Sequence, residues 1–88
     1  MDPSELDNIL AQCRASSAVN GHIPPYPSII AQLEYLRGLA AHPTGDASRL
    51  KDIILGVQAA REIESLDLPL AMRLYDVTEW VRFLRREM

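Results

Sequence analysis

The sequence predicts an all-α fold, a small antiparallel bundle of about four helices. Apolar residues recur at spacings of three and four along most of the chain, and no segment shows the sustained alternation typical of a surface strand. Leucine, alanine, glutamate and arginine, which all favour helix, dominate the composition. The 88 residues are 48% hydrophobic, which is enough for one modest core. We therefore expect residues 1–88 to form a single helical domain whose short connections join antiparallel neighbours.

The first helix is expected to run from about Pro3 to Ser16. Asp2 is a good N-cap, Pro3 fits the first helical position, and Glu5 completes a capping-box pattern. The apolar residues of this segment fall at i, i+3, i+4 and i+7, on one helical face. They are Leu6, Ile9, Leu10 and Cys13.

The second helix follows the segment ASSAVNGHIPPYP, which interrupts the apolar pattern. Asn20-Gly21 is a turn signal, and the prolines disfavour helix in the residues before them. We expect the helix to begin near Pro27 or Ser28 and to end near Ala41. Its inner stripe is predicted as Ile29, Leu33, Leu36 and Ala40, flanked by Ile30 and Leu39.

A third helix is expected from Asp46, which can cap it, to about Glu64. Gly56 lowers the helix propensity by about 1 kcal/mol relative to alanine, so we expect a close approach to another helix at this position. The predicted core face consists of Leu50, Ile53, Ile54, Val57 and Ala60.

The fourth helix is expected from about Pro69 to Glu87. Asp67 or Leu68 precedes a proline that sits just inside the helix, as helix starts commonly show. Steps of four and three define a core seam. That seam is Leu70, Leu74, Val77, Val81, Leu84 and Met88.

The opposite side of the fourth helix carries a second stripe, part apolar and part acidic. Met72, Asp76, Glu79 and Phe83 fall at i, i+4, i+7 and i+11, with Tyr75 beside them. The apolar members are either scattered surface residues or are covered by the first helix. The functional alternative is a protein interface with apolar anchors and a charged rim. The predicted partner-binding residues are Glu62, Glu64, Asp67, Met72, Tyr75, Asp76, Glu79 and Phe83.

Charge and composition bear on the classes of partner. The net charge of −3 does not suit nucleic-acid binding, which is typical of basic patches. The three arginines in WVRFLRREM complement the C-terminal end of a helix dipole and are too few for a polybasic membrane anchor. No apolar run approaches membrane-spanning length. We therefore expect neither nucleic acid nor membrane as a partner.

The expected location is the cytoplasm. Cys13 is the single cysteine, so no internal disulfide can form, which fits a reducing compartment. The first residues, MDPSELDN, lack the basic and apolar regions of a secretory signal peptide.

No catalytic, cofactor-binding or metal-binding residue is predicted. His22 and His42 lie in proline-bounded loops without a Cys, Asp or Glu at metal-ligand spacing. Cys13, on an apolar helix face, is more typical of a core residue than of a nucleophile. The loop HIPPYP offers an alternative contact surface. We favour the simpler interpretation, in which Tyr26 packs under the second helix.

Two segments, YPSIIAQLEYL and LKDIILGVQAAREIESLDLPLAMRLYDV, resemble a family of small all-helical bacterial immunity proteins. These proteins protect bacteria that use type VI secretion against an effector that hydrolyses NAD and NADP. The resemblance covers most of residues 26–80, whereas residues 1–20 agree only as an amphipathic helix. The matching positions are Tyr26-Pro27, Gln32, Leu33, Tyr35, Leu36, Leu55-Gly56, Glu62, Glu64 and Asp67.

The resemblance implies a bacterial immunity-type domain that is not an enzyme. Such a protein binds the toxin domain of its cognate effector and blocks the substrate site. The toxin implied first is an NAD(P) glycohydrolase, and the second is a nucleotide pyrophosphokinase-type toxin. Sites for phosphorylated substrates are commonly basic, so an acidic surface would complement one. The alternatives are a helical adaptor that self-associates as a homodimer, or a small enzyme that uses Cys13 or His22.

Overall fold

The computed structural model describes residues 1–87. It contains no β-strand within that range, so the predicted all-α bundle is confirmed. Among residues 1–87, no helix combines the length and the apolar character needed to cross a bilayer. The elements are α1 (Pro3–Val19), α2 (Pro25–Ala41), a 3-10 turn (Leu50–Asp52), α3 (Leu55–Gln58), a π-helical turn (Ala59–Ile63) and α4 (Leu68–Arg86).

Helix α1 starts as predicted and ends one turn later than predicted. The Glu5 backbone N–H donates to the Asp2 carboxylate at 2.9 Å, which confirms the N-cap. The helix continues past Ser16 to Val19. Ser16 is buried, and its hydroxyl lies 2.8 Å from the Tyr26 hydroxyl. This polar contact with α2 lets the last turn of α1 pack although it carries serines instead of apolar residues.

Helix α2 begins at Pro25, two residues before the predicted start. A proline in the first turn lacks only an N–H that has no partner within the helix, so Pro25 and Pro27 are both accommodated. Leu39, instead of the predicted Ala40, completes the buried stripe. The stripe is Tyr26, Ile29, Leu33, Leu36 and Leu39.

The prediction of one continuous third helix from Asp46 to Glu64 is wrong. The Asp46 carboxylate accepts the Ser48 N–H at 2.9 Å, which closes a turn and does not cap a helix. After the 3-10 turn the backbone is extended at Ile53, with ψ at 122°. The Ile54 N–H then donates to the side-chain oxygen of Gln32 on α2 at 2.7 Å. A long-range hydrogen bond therefore holds the chain outside helical geometry just before α3.

The π-helical turn decides which face of the third segment is buried. The Glu64 N–H donates to the Ala59 carbonyl at 2.8 Å, an i to i+5 bond. Positions four apart stay on one face through this wider turn. The buried residues are Leu55, Ala59 and Ile63.

The predicted core face of the third segment is therefore only partly correct. Leu50 is buried and Ile53 is partly buried, as expected. Ile54 is 49% exposed, Val57 is 54% exposed, and Ala60 is exposed as well. These three residues lie on the outer side of the segment, where they remain available for contact.

Helix α4 begins one residue before the predicted start. The Asp67 carboxylate accepts the Leu70 N–H at 3.1 Å, which identifies Asp67 as the N-cap. The predicted seam is confirmed for the described residues, because its members are buried or, at Leu84, half-buried. Met88 lies outside the described residues. The buried seam residues are Leu70, Leu74, Val77 and Val81.

The predicted close approach at Gly56 is confirmed, and the neighbouring helix is α4. A Cβ atom on Gly56 would lie 3.2 Å from both Cγ2 and Oγ1 of Thr78. The Thr78 hydroxyl donates to the Leu74 carbonyl at 2.9 Å, which fixes its rotamer. A side chain at position 56 would therefore force Thr78 to shift by a few tenths of an ångström.

We predict that Gly56→Ala destabilises the bundle by about 1 kcal/mol, because overpacking against Thr78 outweighs the gain in helix propensity. The free energy of unfolding in urea measures this effect. Gly38→Ala is the matched control, because a Cβ there meets no atom within 4 Å and should stabilise α2 slightly. Equal stabilisation by both substitutions would contradict the packing account.

Candidate partner-binding surface

The outward face of α4 carries the predicted stripe of Met72, Asp76, Glu79 and Phe83, called the α4 stripe below. Met72 is 56% exposed and Phe83 is 50% exposed. Asp76 and Glu79 are exposed between them. The alternative in which α1 covers the apolar members is therefore wrong. The stripe presents two large apolar side chains on either side of two acids.

Tyr75 joins α4 to the end of the π-helical turn. Its hydroxyl donates to the Glu64 carboxylate at 2.5 Å. This hydrogen bond to Glu64, helped by desolvation and by the carboxylate charge, raises the pKa of Tyr75 above its ordinary value. Two of the predicted partner-binding residues thus hold each other in place. Their hydrogen bond links the third segment to α4 at the exposed edge of the surface.

The acids of residues 60–80 differ in what they contact. Asp67 caps α4, Glu64 accepts the Tyr75 hydroxyl, and Glu79 pairs with Arg82. The ion pairs of residues 1–87 include neither Glu62 nor Asp76. These two carboxylates are exposed and are the ones most available to a cation on a partner. The Glu79–Arg82 pair is about two-thirds exposed and so contributes little stability.

A groove of about 720 Å³ lies on the surface where the third segment meets α4. One side contributes Ile54, Val57 and Ala60, the exposed apolar residues that were predicted to lie in the core. The facing side contributes Tyr75 and Asp76 from α4, so the groove is continuous with the α4 stripe. The sequence does carry a signal for this arrangement. Leu55, Ala59 and Ile63 form a competing apolar stripe, and its burial turns the other one outward.

The residues weighed for catalysis lie elsewhere in the molecule. Cys13 has no exposed surface, and burial raises the pKa of its thiol to about 11. The Nδ1 atom of His22 lies 3.1 Å from the Ser17 hydroxyl, and the His22 backbone has a positive φ of 55°. His42 is an exposed residue at the end of α2. No group of three or more metal-ligating side chains occurs within residues 1–87.

The loop before α2 does not present Tyr26 to a partner. Tyr26 is fully buried, as the favoured interpretation predicted. Its hydroxyl contacts the Ser16 hydroxyl and accepts a hydrogen bond from the Asn20 amide at 3.1 Å. The HIPPYP segment therefore connects α1 to α2 through buried polar contacts, and the interpretation of Tyr26 as an exposed contact residue is wrong.

Comparison with known proteins identifies the family. A sequence model of the Tsi6 family matches residues 2–82. The chain belongs to the Tsi6 family. Tsi6 proteins are type VI secretion immunity proteins, so the resemblance is confirmed at that level. No curated protein and no solved structure gives a significant match. The Tsi6 match includes α1 and every predicted partner-binding residue except Phe83.

We predict that Asp67 contributes to the stability of the fold and that Asp76 does not. Asp67→Ala removes the N-cap of α4 and should lower the free energy of unfolding by about 1 kcal/mol, whereas Asp67→Asn should preserve it. Asp76→Ala should change stability by less than about 0.5 kcal/mol, because the residue is an exposed surface position. Urea unfolding of the three variants tests this. A large loss for Asp76→Ala would show that its carboxylate supports the fold.

We also predict that Cys13 is protected from alkylation until the bundle unfolds. At pH 8 the folded thiol, with a pKa of about 11, should react with iodoacetamide at least about a hundredfold more slowly than the denatured chain. Because folding raises this pKa, stability should fall as the pH rises from about 8.5 toward 11. Mass spectrometry of labelled protein measures the rates, and equal rates in both states would contradict the burial of Cys13.

Proposed function

We propose that this Tsi6 family member binds the toxin domain of its cognate type VI effector and blocks the substrate site of that toxin. The observation that carries the proposal is the α4 stripe. It is an apolar and acidic surface on a chain whose family is one of immunity proteins. The contact residues in this proposal are Glu62, Glu64, Asp67, Met72, Tyr75, Asp76, Glu79 and Phe83.

The apolar part of the stripe supports a protein interface. Met72 and Phe83 are each at least half exposed, while the core beneath α4 is fully buried. Aromatic and methionine side chains are enriched at the centres of protein interfaces, where removal from water favours association. Met72 and Phe83 would serve as anchors, with charged residues at the rim.

The acids support a basic partner surface. Glu62 and Asp76 are exposed and have no ion-pair partner within residues 1–87. Toxins that act on nucleotides bind anionic phosphates, and such sites are commonly basic. Acidic side chains placed over such a site would speed association and fix orientation. Of the five acids, Asp67 and Glu64 would act mainly by shaping the surface, because their carboxylates already accept hydrogen bonds within the chain.

The toxin that we propose is an NAD(P) glycohydrolase acting in the bacterial cytoplasm. Occupying its site would prevent turnover without any chemistry by the immunity protein, so the inhibition would be stoichiometric. A nucleotide pyrophosphokinase-type toxin also has a phosphorylated substrate, and the charge argument fits it equally. The NAD(P) assignment rests on the resemblance of residues 26–80.

Co-expression with the toxin domain encoded by the neighbouring gene tests the proposed function. We expect growth to be rescued, an equimolar complex to be purified, and NAD(P) hydrolysis to be inhibited at one equivalent. Light scattering of the free protein would detect self-association. A stable homodimer that neither binds the toxin nor rescues growth would favour the adaptor alternative.

We predict that Asp76→Lys combined with Glu79→Lys weakens toxin binding by about ten- to a hundredfold, because two attractive contacts become repulsive. Calorimetric titration measures the dissociation constant, and circular dichroism checks folding. Asp7→Lys with Glu34→Lys is the control for net charge. It also breaks the Asp7–Arg37 and Glu34–Arg14 ion pairs, which are about half exposed and contribute little stability. Unchanged affinity in the α4 variant would remove this face from the interface.

A further inference from the structure

We infer that the groove between the third segment and α4 receives an apolar, carboxylate-bearing segment of the effector. This inference rests on the proposed function and adds a contact region that shares Asp76 and Glu79 with the α4 stripe. The groove is defined by exposed apolar residues on the third segment, by the α4 wall, and by the arginines that border it.

The apolar floor is the first observation. Ile54 and Val57 are each about half exposed, and Ala60 is exposed beside them. All three line the groove. Such a cluster on a small bundle is typical of a surface that another chain covers, because burying it releases water from apolar area.

The second observation is that the floor is held in place before any partner binds. The Gln32 side chain accepts the Ile54 N–H at 2.7 Å and donates to the Gln58 side-chain oxygen at 2.7 Å. Gln58 in turn donates to the Ser28 hydroxyl at 3.1 Å. These bonds fasten the short α3 helix to α2. A preformed groove loses less conformational entropy on binding than a mobile one.

The third observation is the charge of the groove, which differs from that of the α4 stripe. Arg61, Arg82 and Arg85 line it together with Asp76 and Glu79. Arg82 is paired with Glu79, whereas the ion pairs of residues 1–87 include neither Arg61 nor Arg85. Two unpaired arginines against one unpaired carboxylate favour an occupant that carries an acidic side chain.

The segment that fits this groove therefore combines apolar side chains with a carboxylate. The apolar side chains would pack on Ile54 and Val57, and the carboxylate would accept hydrogen bonds from Arg61 or Arg85. Asp76 and Glu79 belong to both the stripe and the groove, so what distinguishes the groove is its arginines. A basic side chain that entered the groove would meet Arg61 and Arg85, whereas an acidic one would be attracted to them. The two regions together would select one orientation of the toxin.

Photo-crosslinking of the complex identifies the occupant directly. A benzoylphenylalanine at position 57 should capture a peptide of the toxin domain that contains apolar residues and an Asp or Glu. The same probe at position 19, where Val19 is exposed at the end of α1, is the control and should capture little. Capture at position 57 of a segment without acidic residues, or no capture in a formed complex, would overturn the inference.

Substitution provides an independent measurement. Val57→Asp should weaken toxin binding at least about tenfold, and Arg61→Gln with Arg85→Gln should weaken it about three- to tenfold. Val19→Asp should leave the affinity unchanged. Val57→Ala, which cannot disturb folding through charge, should show a smaller loss in the same direction. If the native chain binds the toxin and all groove variants bind equally, the groove inference fails and the proposed function stands. If the native chain binds no toxin, both fail.

Discussion

The side chain of Gln32 on α2 forms hydrogen bonds with two residues at the start of the third segment, Ile54 and Gln58. Its oxygen accepts the Ile54 N–H, and its nitrogen donates to Gln58, so α2 fixes where α3 begins. The bond to Ile54 lies at an exposed position, where it contributes at most about 1 kcal/mol. This bond therefore stabilises a start at Leu55 that the local sequence does not require. The same start places Ile54 on the exposed side of the segment, where it lines the groove.

The register has consequences for both sides of the segment. Starting at Leu55, and widening into a π-helical turn at Ala59, buries the stripe that ends at Ile63 and completes the core against α4. The same turn brings Glu64 to the Tyr75 hydroxyl. The face of the third segment that is buried thus determines both the core packing and the shape of the surface. The contact between Gly56 and Thr78 keeps α3 and α4 close enough for the groove to form.

The sequence predicted α1, α2 and α4 well because each has one dominant apolar stripe and local start signals. Asp2 and Asp67 cap their helices through bonds within three residues, which is information that a local pattern contains. The third segment has two overlapping apolar stripes, one through Val57 and one through Leu55. The π-helical turn at Ala59 and the hydrogen bond from Ile54 to the distant Gln32 accompany burial of the Leu55 stripe. Neither feature is visible in local periodicity, which favoured the wrong face.

The candidate surface could likewise be predicted from the sequence only in part. The angular arrangement of α4 placed Met72 and Phe83 opposite the core seam but left open whether α1 covers them. The structure shows both side chains exposed. The sequence did not reveal which acids form hydrogen bonds or ion pairs within the chain. Glu64, for example, reaches the Tyr75 hydroxyl only because of the π-helical turn. Ile54 and Val57 were predicted to lie in the core because they belong to one of the two overlapping apolar stripes of the third segment.

A surface with two neighbouring regions of different charge has a bearing on specificity. An acidic stripe alone would attract many basic proteins, because long-range attraction discriminates weakly between partners of like charge. Arg61 and Arg85 in the adjoining groove add a requirement of opposite sign. A partner that satisfies only one region leaves charged groups of the other facing its own like charges, which costs affinity. The hydrogen bonds of Gln32 hold α3 against α2, and Gly56 packs beside Thr78 of α4, so this packing sets the spacing of the two regions. An immunity protein built this way would restrict itself to one effector through the spacing of the two regions, using helices too short to enclose a binding site.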